Sequence, residues 1–164
     1  MSELIDPFDR CIRYLRVSVT DRCNYRCFYC MPSQGLAWEK REEFLSYEEL
    51  TRVIRVFSEL GVDKVRLTGG EPLVRCGLLG FVKELHKLPG IQDLSMSTNA
   101  HLLAGQARAL AEAGISRVNI SLDSLDPEIF RQITRNGELQ PVLQGIDAAL
   151  EAGMHPVKIN MVVM

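Results

Sequence analysis

Cys23, Cys27 and Cys30 fall in one run, Thr20-Asp21-Arg22-Cys23-Asn24-Tyr25-Arg26-Cys27-Phe28-Tyr29-Cys30-Met31-Pro32, with the spacing C-x3-C-x2-C. Thiolates are the usual protein ligands of iron–sulfur cubes, and four irons ask for four ligands. A loop that supplies three leaves one iron open to a ligand that is not protein. A structural zinc site would want a fourth Cys or His, usually from a second paired knuckle, and Cys11 and Cys76 stand in separate segments that form none. The five cysteines are an odd number, and the chain shows neither a secretory signal nor a membrane-length apolar run. Disulfides are therefore not expected, and a reducing cytosol is the natural compartment.

A second group follows at Thr68-Gly69-Gly70-Glu71-Pro72. Paired glycines let a backbone approach a ligand closely, and Glu71 is of the type that accepts hydrogen bonds from an ammonium group. Two further groups, Ser97-Thr98-Asn99 and Asn119-Ile120-Ser121-Leu122-Asp123-Ser124, carry small hydroxyls and amides suited to ribose or carboxylate oxygens. Turn chemistry competes for some of these. Asn99 can hold a loop, and Ser124 or Asp126, just before Pro127 and Glu128, can cap a helix.

These groups need elements to position them. A helix end, a Gly and a Val four residues later recur at Gly61/Val65, Gly114/Val118 and Gly153/Val157. Each reads as a helix stop followed by a strand. Strands near 15–20, 64–68, 93–98, 117–122 and 157–163 alternate with helices near 46–60, 78–88, 104–113 and 140–152, and Ser46 with Glu49 is spaced as a capping box. Such alternation predicts a parallel sheet, whose ligands collect at the carboxyl ends of the strands.

Alternate strand residues face opposite sides, and Leu15, Val17 and Val19 separate from Arg16, Ser18 and Thr20. Likewise Leu94 and Met96 separate from Ser95, Ser97 and Asn99; Val118, Ile120 and Leu122 from Asn119, Ser121 and Asp123; and Val157, Ile159 and Met161 from Lys158 and Asn160. Strands covered by helices on both faces would be apolar throughout, so one face meets something polar. A partial barrel with a polar lumen fits; an open sheet with one wet face is the plainer alternative. Arg16, Arg66 and Lys158 on that face ask for an anionic partner, because a charge out of water is costly unless paired. Internal ion pairs with Asp123 and Glu71 would answer that demand, and so would a triphosphate, to which Arg offers bidentate contacts.

With 164 residues, 46% of them hydrophobic, and a formal net charge of −2, the chain can bury a core and offers no general polyanion-binding surface. Trp38 falls in a polar stretch, Gln34 to Glu43, that reads as a surface loop. The last strand pattern runs to Met164 without a turn or polar tail, so the expectation is of the N-terminal part, residues 1–164, of a larger fold.

The strings Asp6-Pro7-Phe8-Asp9-Arg10, Tyr14 to Asn24, Cys27 to Pro32 and Val65 to Pro72 resemble the GTP 3′,8-cyclases of molybdenum-cofactor biosynthesis, within the radical S-adenosylmethionine enzymes. So do Asn119 to Leu125, Ile133-Thr134-Arg135, Gly145-Ile146-Asp147 and Val157-Lys158-Ile159-Asn160. The resemblance implies an α/β fold, an incomplete (βα)6-type barrel that stops here after about the fifth strand. It implies a [4Fe–4S] cluster on Cys23, Cys27 and Cys30, with S-adenosylmethionine on Tyr29, Gly70 and Ser121, to which Glu71 is added as an ammonium acceptor. Arg16, Arg66, Ser97 and Lys158 would contact GTP. The implied chemistry cleaves S-adenosylmethionine to methionine and a 5′-deoxyadenosyl radical. That radical takes the hydrogen from C3′ of GTP, whose carbon radical attacks C8, giving the cyclised dihydroguanosine triphosphate. No side chain is assigned as a reacting group, since the cofactor carries the chemistry.

Further implications are cytoplasmic work with an electron donor such as flavodoxin or ferredoxin, as monomer or homodimer, with no nucleic-acid or membrane partner. The family's second cluster belongs to a C-terminal region that this sequence does not contain. Four positions depart from the family pattern: Cys76-Gly77 in place of Arg-Asp, Ser97 in place of Thr, and Ala100 in place of Gly. A peptide- or haem-modifying radical S-adenosylmethionine enzyme, which would not need the three cations, and a zinc-stabilised binding module remain as alternatives.

Overall fold

The computed structural model describes residues 4–36 and 43–163; Trp38 and most of the stretch predicted as a surface loop lie outside the described residues. Strands β1 (Tyr14–Ser18), β2 (Lys64–Thr68), β3 (Asp93–Thr98), β4 (Arg117–Ser121) and β5 (Val157–Asn160) form one parallel sheet in chain order. Between them run α1 (Tyr47–Glu59), α2 (Leu78–His86), α3 (Ala107–Ala113), α4 (Pro127–Thr134) and α5 (Leu139–Glu151). Strand order that never reverses is the plan of a (βα) barrel and not of a doubly wound sheet. The helices form a single layer to match, with α1 against α2, α2 against α3, and α3 against α5.

Period-two alternation sorts the strand side chains as the sequence predicts. Val65, Leu67, Leu94, Met96, Val118 and Ile120 are buried, in one core with Ile54, Phe81, Leu85, Leu110 and Val142 of the helices. The other face is polar, and the register orders it in rows. Arg16 lies beside Arg66, and Arg66 beside Ser95. One step nearer the carboxyl ends, Ser97 lies beside Asn119 and Asn119 beside Lys158, with Ser121 and Asn160 paired beyond them.

Local chemistry sets the helix limits. Ser46 and Glu49 make the capping box, Glu49 N donating to Ser46 Oγ at 3.2 Å and Ser46 N to Glu49 Oε2 at 2.8 Å. Gly61, Gly114 and Gly153 take φ of +96°, +120° and +78° just past α1, α3 and α5, as the repeat predicts.

Some elements differ from expectation, β1 among them, which ends at Ser18 rather than 20. β5 ends at Asn160 rather than 163, because Val162 N leaves the ladder for Asp123 Oδ1 at 2.9 Å. α3 begins at Ala107 rather than 104, because residues 100–106 form turns in which Leu103 N bonds Ala100 O and Gln106 N bonds Leu103 O. α4 is an additional helix, started by Pro127 and capped by Asp126, whose Oδ1 accepts from Glu128 N and Ile129 N. Asp126 thus takes the capping role, and Ser124 Oγ accepts Asp126 N at 3.0 Å in the same turn. Among the described residues no helix is long and apolar enough to cross a membrane.

Candidate functional site

The cysteine loop leaves the carboxyl end of β1 and is gripped at once by the turn after β2. Val19 N bonds Thr68 O at 2.9 Å, Gly70 N bonds Thr20 O at 2.7 Å, and Glu71 N bonds Arg22 O at 2.8 Å. Gly69 takes φ +148°, and a Cβ there would collide with the Thr20 carbonyl; a Cβ on Gly70 would collide with the carbonyl of Arg22. The paired glycines therefore admit the backbone of the cysteine loop, where the sequence suggested that they admit a ligand.

Glu71 also differs from expectation. It is only 1% exposed, and its Oε1 accepts from Leu73 N (3.1 Å) and Thr98 Oγ1 (2.7 Å) while Oε2 accepts from Asn99 N (2.7 Å). Burial raises its pKa despite these three donors. The carboxyl ties the β2 turn to the end of β3 and has no exposed oxygen to offer an ammonium group.

The end of β3 reaches the cysteines in turn. Asn99 Nδ2 donates to Asn24 Oδ1 at 2.7 Å and lies 3.9 Å from Cys23 Sγ, while its Oδ1 accepts from His101 N. Tyr25 N donates to Cys23 Sγ at 3.3 Å. The link between α4 and α5 closes the far side. Arg26 N and Phe28 N bond the carbonyls of Thr134 and Ile133, Arg135 Nη1 donates to Met31 O at 2.9 Å, and Asn136 Nδ2 donates to Asn24 O at 2.8 Å. Below the loop, Tyr25 is buried, edge-on to Phe130 and His101, with its hydroxyl 3.0 Å from His101 Nδ1. Sequence reasoning misses Arg135, Asn136 and Asn24 as site residues, since most of these contacts run through main-chain atoms, which leave no mark in residue type.

All five cysteines are free; Cys23 and Cys27 are half-buried and Cys30 is exposed. Burial, with a smaller contribution from charge on Cys30, pushes the Cys23 thiol up and Cys27 up to about 11. Cys23 and Cys27 thus resist ionisation, an effect that a multivalent cation reverses, since coordination holds thiols as thiolates. No group of three His, Cys, Asp or Glu among the described residues converges on a single ion. A cube places each thiolate on a different iron, so it needs no such convergence. The three thiols on one braced loop fit it, and Cys23, Cys27 and Cys30 would hold it.

Tyr29 Oη donates to Asp123 Oδ2 at 2.8 Å, drawing the loop towards the end of β4. Ser121 is exposed at that end and Ser97 is half-buried one row deeper. Arg16 and Lys158 are exposed, and half-buried Arg66 lies 5.4 Å from the Tyr14 ring with Nε 3.5 Å from Ser95 Oγ. The ion pairs among the described residues are Arg10–Asp6, Arg13–Asp63, Lys87–Glu84 and Arg117–Asp93. Glu71 and Asp123 are committed elsewhere, so the internal pairing considered for Arg16, Arg66 and Lys158 does not form. Like charges on adjacent strands are destabilising by themselves, and Arg16 beside Arg66 is such a pair.

The departures from the family pattern also find their places. Cys76 is exposed, and Gly77 takes φ +83° at the start of α2 against the Tyr47 ring. Ala100 is buried with φ +61°, a conformation that glycine adopts without strain.

Comparison with known proteins agrees with this geometry. Residues 17–164 match the Radical SAM superfamily. The chain is 60% identical over 162 residues to a GTP 3′,8-cyclase of Hydrogenovibrio crunogenus (strain DSM 25203 / XCL-2), covering 98% of this chain and 49% of that protein. To a GTP 3′,8-cyclase of Petrotoga mobilis (strain DSM 10674 / SJ95) it is 55% identical over 161 residues, covering 98% and 50%. The chain thus spans about half the length of these curated relatives. Among solved structures, Streptococcus suis SuiB bound to precursor peptide SuiA superposes with a TM-score of 0.77 at 21% identity, covering 93% of this chain and 33% of that one. Methylornithine synthase (PylB) gives 0.72 at 16% identity, covering 90% and 44%. These likenesses bear on the fold, which is a partial (βα) barrel. The thiol spacing, the barrel plan and the match across nearly the whole chain lead to one assignment: the chain belongs to the radical SAM superfamily.

Proposed function

We propose that this chain is the N-terminal part of a GTP 3′,8-cyclase, binding a [4Fe–4S] cluster, S-adenosylmethionine and GTP. The observation that carries the reading is the trio Arg16, Arg66 and Lys158 on the polar face of the sheet, without ion pairs among the described residues, one to two rows below the cysteine loop. A triphosphate answers that charge, and the identity to two cyclases supports the choice among triphosphates. When bound, the cluster and S-adenosylmethionine supply the electron and the radical that takes hydrogen from C3′ of GTP.

The chain's own residues bind and orient. Cys23, Cys27 and Cys30 hold the cluster; Tyr29, the Gly70 backbone and Ser121 border the S-adenosylmethionine site; Arg16, Arg66, Ser97 and Lys158 hold GTP. Glu71 serves these sites from beneath, as a strut. Guanine recognition and the second cluster belong in this reading to a C-terminal region beyond residue 164, so the chain by itself should bind triphosphates with little base preference. The reading places the protein in the cytoplasm, drawing electrons from a donor of the flavodoxin or ferredoxin kind.

The test is anaerobic reconstitution of the chain, followed by iron and sulfide analysis and titration with S-adenosylmethionine, GTP and ATP. One [4Fe–4S] cluster per chain is expected, with a spectrum perturbed by S-adenosylmethionine and slow release of 5′-deoxyadenosine on adding dithionite. Charge-assisted phosphate contacts are worth roughly 1.5–3 kcal/mol, so Lys158→Ala should weaken triphosphate binding at least tenfold and spare S-adenosylmethionine. Unchanged triphosphate affinity removes Lys158 from the site, and stoichiometric zinc in place of iron sinks the cluster assignment.

A further inference from the structure

The row Ser97, Asn119, Lys158 contains one group that the sites above leave unused. Asn119 lies on β4 between Ser97 of β3 and Lys158 of β5, on the polar face. It is only 6% exposed, and its Oδ1 is buried without a hydrogen-bond partner among the described residues. Such an oxygen is rare in folded proteins, because a buried acceptor left without a donor keeps the full cost of its desolvation. A residue whose only service was to the fold would find a partner or be apolar.

We propose that Asn119 is a substrate-specificity residue whose carboxamide oxygen accepts a hydrogen bond from a hydroxyl of the nucleotide's ribose. The chemistry narrows the ligand group. A carbonyl oxygen accepts and cannot donate, so it repels phosphate oxygens and needs an O–H or N–H. Its position narrows it again. Lys158, the neighbour one strand away, is the phosphate-binding cation, and in a nucleotide the sugar is the unit joined directly to the phosphates. A group beside that cation meets ribose hydroxyls before it meets the base. The hydroxyl of Ser97, on the other side of Asn119, continues the same polar row.

This inference rests on the reading that the polar face holds a nucleoside triphosphate, and it adds discrimination between ribo- and deoxynucleotides within residues 1–164. The test uses the anaerobically reconstituted chain and equilibrium dialysis with GTP and with 2′,3′-dideoxy-GTP. Unsubstituted chain should bind GTP about three- to tenfold more tightly, the range of one neutral hydrogen bond. Asn119→Leu, close in size and unable to accept, should bring the two ligands to equal affinity, leaving dideoxy-GTP and S-adenosylmethionine binding unchanged. Removing an unsatisfied buried oxygen should hold or raise the Tm of this variant, whereas loss of a structural residue would lower it. Asn119→Ala provides the same comparison should Leu fail to fold.

Persistence of the ribose preference in both variants overturns the proposal, as does an equal loss for both nucleotides. Loss of S-adenosylmethionine binding in place of GTP binding overturns it by assigning the oxygen to the other sugar. Failure of the parent reading looks different: the unsubstituted chain would bind neither triphosphate, and the ribose assignment would fall with it.

Discussion

Tyr29 and Asp123 are 94 positions apart in sequence and joined by a 2.8 Å hydrogen bond, phenol to carboxylate. The other oxygen of Asp123 accepts from Val162 N at 2.9 Å. One carboxylate thus fastens the cysteine loop to β4 and draws in the chain that follows β5. Burial and the neighbouring carboxylate and thiol push the Tyr29 phenol up, so it stays protonated and able to donate throughout the physiological range. Asp123→Ala should speed amide exchange at Val162 tenfold or more, the scale of a charge-assisted hydrogen bond. Tyr29→Phe should leave that amide protected. Equal protection of Val162 in both variants would show that the strand end is held by something else.

The three loop cysteines should not be interchangeable with the other two. Cys27→Ala leaves two thiols, too few to hold a cube, and iron and sulfide should fall to background after reconstitution. Cys11→Ala and Cys76→Ala change exposed thiols outside the loop and should retain a full complement. A full cluster in Cys27→Ala would falsify the ligand assignment.

Glu71 should make stability depend on pH in a particular direction. Its folded pKa is raised above the ordinary 4.5, mainly by burial. The native state therefore binds more protons than the unfolded state between 4.5 and the raised value. The contribution of this group is full below 4.5 and declines as pH rises through that window. Urea melts over that range should show the decline in the native chain and not in Glu71→Gln. That variant should also be less stable by about 1–3 kcal/mol, because its amide nitrogen would face the Asn99 N–H that Oε2 now accepts. A variant as stable as the parent would mean that the strut carries no load.

Ala100 holds a left-handed φ of +61°, which costs an L-residue roughly 1–2 kcal/mol. Ala100→Gly should recover part of that, about 0.5–1 kcal/mol, after the greater unfolded-state freedom of glycine. Its neighbour behaves oppositely: a Cβ on Gly145 would strike the Ala100 carbonyl, so Gly145→Ala should destabilise. Urea denaturation of the two variants checks both signs.

How much of this was legible depended on which atoms carry the information. The alternation of Val17 with Arg16 and Ser18, or of Val118 with Asn119, is written in side chains, and it placed the strands and their polar face correctly. The cysteine spacing and the Ser46–Glu49 cap were readable for the same reason. Gly69 and Gly70 were singled out, but the partner of their close approach was misjudged: residue type shows that a Cβ is unwelcome and not what would strike it. Glu71 was misjudged because three donors from β3 and its own turn converge on it only after folding. The start of α4 was legible in Asp126 and Pro127, a cap before a first helical proline, whereas its eight residues span barely two turns and gave periodicity too little to set its extent.

The cysteine loop is local in sequence and non-local in its support, and this fixes an order of assembly. A free peptide of residues 20–32 would present the same thiols in the same order, but as a fluctuating ensemble. In the folded chain the loop is fastened by Thr68–Glu71, by Asn99 and by Thr134–Asn136. The last of these emerges from the ribosome more than a hundred residues after Cys30. A nascent chain therefore exposes its thiols long before it can preorganise them, and iron captured at that stage would meet flexible ligands. The finished cradle comes into being only with the turn that joins α4 to α5, so the loop is preorganised for a metal only after four of the five strands have been made.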